Sequence, residues 1–386
     1  MTEQPGTEPT THAQPAPAGR RPRVAVVFGG RSSEHAVSCI SAGTVLAAID
    51  RDVYDVVPIG ISRDGRWVLA ADEPAKLAIT GGRLPEVEES GSSVVLAGDP
   101  TNRGMVVLEP GSVPRELGAV DVVLPLLHGP YGEDGTIQGL LELAGLSYVG
   151  AGVFASAAAM DKGHMKALLA AAGLPVGAYA VVTPRQWASD PAAVRETVAG
   201  LGYPVFVKPC RAGSSVGITK VHDAGALDDA LELAREHDPR VIVEATIEGR
   251  EIECGVLEGL DGGEPEASVP AEVVVTGDHE FYDFDAKYLP DEGTRLDVPA
   301  DLPDDVADQV RALACQAYDA LACEGLARVD FFLLRDGRVI VNEVNTMPGF
   351  TPSSMFPLMW QASGLDYAAL VDRLIRTALA RPQGLR

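Results

Sequence analysis

Positive charge is scarce in this chain. Its 31 Lys and Arg stand against 55 Asp and Glu, a net charge of −24. A protein that wraps nucleic acid needs a positive face, so this balance argues against that partner. It leaves phosphate substrates open, because a few lysines and a metal ion reverse the sign locally. Cysteine is sparse too: Cys39, Cys210, Cys254, Cys315 and Cys323 are odd in number and none has CxxC spacing. That suits a reducing cytoplasm and argues against a disulfide framework or a Cys-rich zinc site. No segment approaches the ~18 uninterrupted apolar residues of a membrane-spanning helix. There is no GxxxxGK[ST] loop, and the turn Phe28-Gly29-Gly30-Arg31-Ser32-Ser33 lacks GxGxxG, so a dinucleotide-binding oxidoreductase loses its main support.

What is present reads as soluble and globular: 46% hydrophobic and 22% charged residues over 386 positions, enough for two or three domains. Residues 1–21 are rich in Pro, Thr and Gly without an apolar run, and are expected to form a disordered tail. Arg23–Phe28 has the Val-rich look of a buried parallel strand. Ser32 or Ser33 is a plausible N-cap for a helix to about Ile49, and a strand at Val53–Ile61 follows. This order indicates an open α/β sheet. Residues 71–115 are weakly patterned and read as an insertion or irregular sub-region. The sheet resumes at Val120–Leu126, followed by the loop HGPYGEDG (His128 to Gly135). The first domain is expected over 22–150. A second, small domain over 151–240 begins with a helix at Phe154–Ala172, has another near Pro184–Gly200, and carries the Gly/Ser loop Arg211 to Gly217. A third spans 241–386.

One hairpin concentrates polar groups. Two β-rich runs within Gly325 to Asn345 flank Asp336-Gly337, a strong signal for a two-residue turn. That turn pairs Arg335 with Arg338, so that Asp330 lies opposite Glu343 and Arg328 opposite Asn345, all on one face. Two facing carboxylates repel, and a cation between them removes the cost. Hard oxygen ligands of this kind suit Mg²⁺. The competing reading is a solvated sheet face with ordinary charges.

The order RVDFFL…VNEVNTMPGFTPSS resembles the C-terminal signature of the D-alanine–D-alanine ligases, members of the ATP-grasp superfamily. The likeness extends in the family's order through GGRSSEHAVS (29–38), HGPYGEDG (128–135), MDK (160–162), KPCRAGSSVG (208–217), the Glu244 and Glu251 strand pair and FYDFDAKY (281–288). It implies a three-domain ATP-grasp architecture, mixed α/β and α+β, whose N-terminal domain is the open parallel sheet. It also implies the activity: ATP-dependent ligation of two D-alanines through an acyl phosphate.

The same resemblance assigns roles. Lys162 and Lys208 would contact the ATP α/β phosphates and Lys287 would lie near the γ-phosphate, where positioned cations stabilise developing charge; each lysine taken alone reads first as a surface residue. Glu244 and Glu251 would accept from the adenine amino group and the ribose hydroxyls. Asp330, Glu343 and Asn345 would hold Mg²⁺ or Mn²⁺, two ions per site. Glu34 would position the ammonium of the first D-alanine, although a first-turn Glu also simply stabilises a helix. His128 would stand near the same substrate, whereas His35 reads as a helix-surface residue. Glu34, Ser214 and Tyr288 would tie a mobile lid (about 279–294) over the reactants. Arg328 and the Gly349 backbone N–H are the oxyanion donors, and Ser354 would bind the second carboxylate. Tyr288 or Ser214 would relay the proton of the second amine; the residues leave that choice open.

Tyr288 also bears on product. D-lactate-using relatives carry His or Phe there, so this chain is expected to make the dipeptide. The alternatives are a D-alanine–D-lactate ligase, another ATP-grasp carboxylate–amine ligase, or a nucleotide-binding scaffold without turnover. The partners implied are ATP and two D-alanines, with no nucleic acid or membrane, in a cytoplasmic homodimer.

Overall fold

The computed structural model describes residues 20–89, 91–101, 104–109, 111–213, 216–275 and 294–382. The expected tail up to residue 19, Ser214, and the lid with Lys287 and Tyr288 lie outside the described residues. Arg20, expected in the tail, ion-pairs with Asp121 at 2.8 Å.

The described residues build three sheets. The first holds β1 (Arg23–Gly29), β2 (Asp55–Ile61), β3 (Trp67–Leu69), β4 (Ser93–Leu96), β5 (Gly104–Leu108), β6 (Arg115–Ala119), β7 (Val122–Pro125) and β8 (Ser147–Tyr148), in the order β6-β5-β4-β3-β2-β1-β7-β8. The expected parallel strands are its core: β1 runs parallel to β2 and β7, and β7 to β8. Strand alternation sends successive β1 side chains to opposite faces. Val24, Val26 and Phe28 pack with helix α1 (His35–Ala48) and with Leu370, Leu374 and Ile375 of the C-terminal helix Tyr367–Ala380. Ala25 and Val27 pack with Ile137 and Leu141 of α2 (Thr136–Leu143). Burial on both faces explains the unbroken apolar run, and each such Val or Leu contributes ~1.5–3 kcal/mol.

Residues 71–115 are not an irregular insertion. They supply β4 and β5 and lead into β6, which continue the sheet antiparallel from β3. The short strands and their turns hide the period-2 pattern. Neither Ser32 nor Ser33 caps α1; Glu34 takes the N-cap position, and the Ser32 hydroxyl accepts from the Glu34 N–H at 3.2 Å.

The second sheet holds β9 (Tyr179–Val182), β10 (Val205–Pro209), β11 (Thr219–Val221) and β12 (Val241–Ala245), ordered β11-β10-β12-β9 and antiparallel throughout. Two helices read as single are broken. The first divides into α3 (Val153–Met160) and α4 (Lys162–Ala171). Asp161 between them leaves the helical region at ψ 99° and accepts from the Gly163 and His164 N–H groups, so the side chain that caps α4 ends α3. The second divides into α5 (Pro184–Ser189) and α6 (Pro191–Ala199), because Pro191 disfavours a helical Asp190 and Asp190 caps the second piece.

The third sheet holds β13 (Arg250–Leu257), β14 (Glu266–Ala267), β15 (Ala271–Val275), β16 (Thr294–Asp297), β17 (Leu326–Leu333) and β18 (Val339–Asn345). Val329, Phe331 and Leu333 face a core shared with α3, α4 and α7 (Asp304–Ala320), leaving Arg328, Asp330 and Phe332 on the other face.

The turn joining β17 and β18 is not the predicted two-residue one. The Leu334 N–H donates to Arg338 O at 2.9 Å and the Gly337 N–H to Leu334 O at 3.0 Å, closing a three-residue loop with Gly337 at φ 85°. That loop slips the pairing by one, to Leu333↔Val339 and Phe331↔Val341. A β-bulge at Asn342 slips it back, and Asp330↔Glu343 and Arg328↔Asn345 pair as predicted. The register at the site is therefore the expected one, reached by two offsets that cancel.

Candidate active site

The three sheets meet at a cavity of about 690 Å³. The first sheet supplies the loop ends: Glu34 at the start of α1, and His128 and Glu133 after β7. The second supplies Phe206, Lys208 and Glu244; the third supplies Glu251, Glu253, Arg328, Asp330, Glu343 and Asn345. Lys162 and Lys166 of α4 and Gly349 complete this part of the wall. Of the described residues expected in the site, only Ser354 is not part of the lining. Its hydroxyl accepts from the Thr351 N–H at 3.1 Å and lies 2.8 Å from Thr351 Oγ1.

On the side of the second sheet, β10 and β12 turn Lys208 and Glu244 into the cavity while Val205, Val207 and Val243 fill the core behind. Lys208 Nζ lies 2.6 Å from Glu244 Oε2, and Lys166 Nζ lies 3.0 Å from Glu244 Oε1. Burial opposes the charge on Glu244, but the two ammonium groups outweigh it and hold the carboxyl down at about 2. Burial likewise opposes the charge of Lys208, yet Glu244 raises it above the usual lysine value. Lys162, the first residue of α4, donates to Ala212 O at 3.0 Å and lies 3.7 Å from Glu343 Oε2. It therefore leans on the Gly/Ser loop and the β18 carboxylate together. Glu251, on β13, looks into the cavity beside them.

On the side of the third sheet, Arg328 Nε and Nη2 donate to the two oxygens of Asp330 at 2.7 and 2.8 Å, a charge-assisted fork. Arg328 Nε also lies 2.9 Å from Glu253 Oε2, and Asn345 Nδ2 donates to Asp330 Oδ2 at 2.9 Å. Burial works against the Arg328 charge, but Asp330 and Glu253 hold it firmly on. The register continues the acidic row, Glu253 facing Asp330 and Asp330 facing Glu343. Cross-strand repulsion is thus answered by Arg328 and Lys162, and does not of itself demand a metal. The donor set nonetheless fits one: two carboxylates and an amide oxygen, adjacent on one face, are hard ligands for Mg²⁺ or Mn²⁺.

At the third end, Glu34 is buried between two loops. A Cβ on Gly129, at φ +72°, would lie 2.5 Å from Glu34 Oε2, and one on Gly213 would lie 2.8 Å from it. At both positions glycine leaves the carboxylate its present place, and a Cβ would push it aside. His128 is buried; Nδ1 lies 3.1 Å from Met347 O and Nε2 lies 3.4 Å from Ser41 Oγ. The carbonyl requires a proton on Nδ1, leaving Nε2 to accept from the serine. Burial lowers the His128 pKa, against the pull of Glu34, and favours this neutral ring. Glu133 accepts from the Gly129 N–H at 2.6 Å and the Met347 N–H at 3.1 Å. Burial first, and then the charge of Glu34, push it up to about 8.

Four residues escaped the sequence reading. Lys166 follows Lys162 at the i,i+4 spacing that shares a helix face. Glu253 follows Glu251 at the i,i+2 spacing that shares a strand face. Both periods were available as signals. Glu133 lay inside a quoted motif with no pattern to single it out. His35 was expected on the surface but is fully buried: Nδ1 lies 2.7 Å from Gly30 O, and Nε2 accepts from the Val87 N–H at 3.1 Å. The residue it meets belongs to the 71–115 segment, which is why an exposed position was expected.

A lysine-bearing antiparallel sheet closing over an acidic sheet, beside an α/β sheet, defines the ATP-grasp class. Comparison with known proteins narrows it. The family profile "D-ala D-ala ligase N-terminus" matches residues 23–151 and "D-ala D-ala ligase C-terminus" matches 168–376. A D-alanine–D-alanine ligase of Streptomyces coelicolor is 59% identical over 95% of both chains, and one of Arthrobacter sp. is 58% identical over 96% of this chain and 97% of its own. Among solved structures, the VanG D-Ala:D-Ser ligase of Enterococcus faecalis superposes with TM-score 0.81 at 38% identity, covering 93% of this chain and 100% of its own. The D-alanine–D-alanine ligase of Coxiella burnetii gives 0.78 at 35%, covering 93% and 94%. The chain belongs to the D-alanine–D-alanine ligase family.

Proposed function

We propose that this chain joins two D-alanines into D-alanyl-D-alanine at the expense of ATP, for peptidoglycan precursor synthesis. The observation that carries this reading is the convergence on one cavity of Lys162 and Lys208, the Asp330–Glu343–Asn345 face, and the Glu34–His128 corner. A nucleotide, a metal and an amino acid are each met by suitable chemistry within reach of the others.

The first D-alanine carboxylate oxygen attacks the γ-phosphorus, and the bond to the β-phosphate oxygen breaks, giving D-alanyl phosphate and ADP. The amine of the second D-alanine then attacks the acyl carbon. The carbon–oxygen bond to phosphate breaks, and phosphate and one amine proton depart. Lys162 and Lys208 balance the phosphate charge, Lys287 joins them near the γ-phosphate, and Glu244 and Glu251 address adenosine. Glu34, beside neutral His128, holds the first ammonium. Arg328 and the Gly349 N–H receive the oxyanion. Ser354 binds the second carboxylate once the Thr351 contact opens. With Glu34, Ser214 and Tyr288 would tie the lid over the reactants, and either Tyr288 or Ser214 would relay the proton. Asp330, Glu343 and Asn345 would hold the divalent ions, two per site, which would supply positive charge against the phosphates.

The reading includes three domains (22–150, 151–240 and 241–386), a homodimer and a cytoplasmic location. No helix among the described residues is long and apolar enough to cross a membrane. A phosphate-release assay with D-alanine, D-lactate, D-serine and L-alanine is the test. D-alanine-dependent ATP hydrolysis with dipeptide as product is expected. Its absence overturns the assignment, and efficient use of D-serine or D-lactate as acceptor moves the chain to the depsipeptide or mixed-dipeptide branch.

A further inference from the structure

Lys166 is the buried ammonium that the reaction outlined above leaves without a task. Its side chain is 4% exposed. Nζ donates to the Asn342 carbonyl at 2.9 Å and meets Glu244 Oε1 at 3.0 Å. The first partner is the extra residue of the β18 bulge, next to Glu343; the second lies on β12 in the other sheet. One ammonium on α4 thus spans the strand that carries the metal-side ligands and the strand that carries the nucleotide-side carboxylate.

We infer that Lys166 is a positioning residue: anchored on Asn342 O, it is the standing counter-ion of Glu244 that allows Lys208 to turn to phosphate. This rests on the reading that a nucleotide occupies the cavity. Glu244 holds two ammonium groups, one on each oxygen. A polyphosphate entering the cavity competes for Lys208, which lines it beside Glu244. With Lys166 in place the buried carboxylate stays compensated when Lys208 leaves. Without it, Lys208 is, among the described residues, the only lysine within ion-pair distance of Glu244, and moving it strands a buried charge, which is strongly unfavourable. Lys166 therefore acts on phosphate affinity through Glu244 and Lys208. It also fixes the Asn342 carbonyl, and with it the bulge, so the strand bearing Glu343 keeps its place relative to the nucleotide.

The test is calorimetric titration of ADP in the presence of Mg²⁺, beside separate KM values for ATP and D-alanine, on wild type, Lys166→Met and Lys166→Arg. Lys166→Met is expected to weaken ADP about tenfold or more and to raise KM for ATP in parallel, with KM for D-alanine nearly unchanged. Lys166→Arg, which retains the charge, should recover most of the affinity. Should the methionine variant not fold, Lys166→Gln carries the same expectation. Wild-type ADP affinity in a folded neutral variant overturns the inference, as does an equal loss for ATP and D-alanine that arginine does not rescue, the mark of a merely structural residue. Failure of the wild type itself to bind ADP instead overturns the nucleotide reading.

Discussion

Asp330 faces Glu343 across β17 and β18 because Asn342 bulges out of the ladder between the turn and the site. The loop alone would pair Asp330 with residue 342. The bulge restores the facing pair and at the same time hands the Asn342 carbonyl to Lys166. Bulges next to active sites commonly re-aim a side chain in this way.

If that face binds the metal, Glu343→Gln and Asn345→Ala should each lower kcat by roughly 100-fold or more, since ligated metal supplies several kcal/mol of charge stabilisation. Manganese binding followed by electron paramagnetic resonance should weaken together with turnover. Near-normal rates in either variant would remove the hairpin from the mechanism.

Glu253 shares Arg328 with Asp330. In Glu253→Gln the guanidinium loses one of its two ion-paired carboxylates and competes harder with metal for Asp330. The magnesium concentration giving half-maximal activity should rise severalfold, and Glu253→Asp should fall in between. An unchanged magnesium requirement would show that Arg328 does not draw on Glu253.

Glu133 titrates at about 8 in the folded protein, against an ordinary 4.5. Between these values the folded state binds more protons than the unfolded one, so its contribution is complete below pH ~4.5 and is lost as pH rises through about 8. Glu133→Gln removes this titration. Wild type should lose more thermal stability than the variant between pH 5 and pH 8, as read by melting temperature. Parallel curves would contradict the buried acid.

Glu244 behaves with the opposite sign. Its folded value of about 2 lies below the ordinary 4.5, so its contribution is full above pH ~4.5 and is lost as pH falls toward 2. Glu244→Gln leaves two buried ammonium groups without their anion and should cost about 3–5 kcal/mol in urea unfolding at neutral pH. The difference from wild type should shrink as the pH is lowered toward 3.

Local signals made much of this chain legible. The Val-rich parallel strands, the apolar-periodic helices and the alternation along β17 follow from side-chain period alone, so the acidic face of the hairpin was readable from spacing. The family was readable from motif order, since HGPYGEDG, MDK and VNEVNTMPG are each contiguous. Several features were decided only by tertiary structure, because they depend on groups far apart in the chain. The bulge at Asn342 leaves no mark in the sequence, because a ladder can accept an extra residue wherever packing on its far side holds the register. The break at Asp161 depends on which backbone N–H groups its carboxylate meets. His35 is buried where the stretch leading into β4, 52 residues away, folds back and offers it the Val87 N–H. The proton on Glu133 and the depressed value of Glu244 both come from burial among charges that only folding brings together. Sequence pattern picked out the residues that line the cavity and are proposed to carry the chemistry. Long-range packing determined which charges they must share.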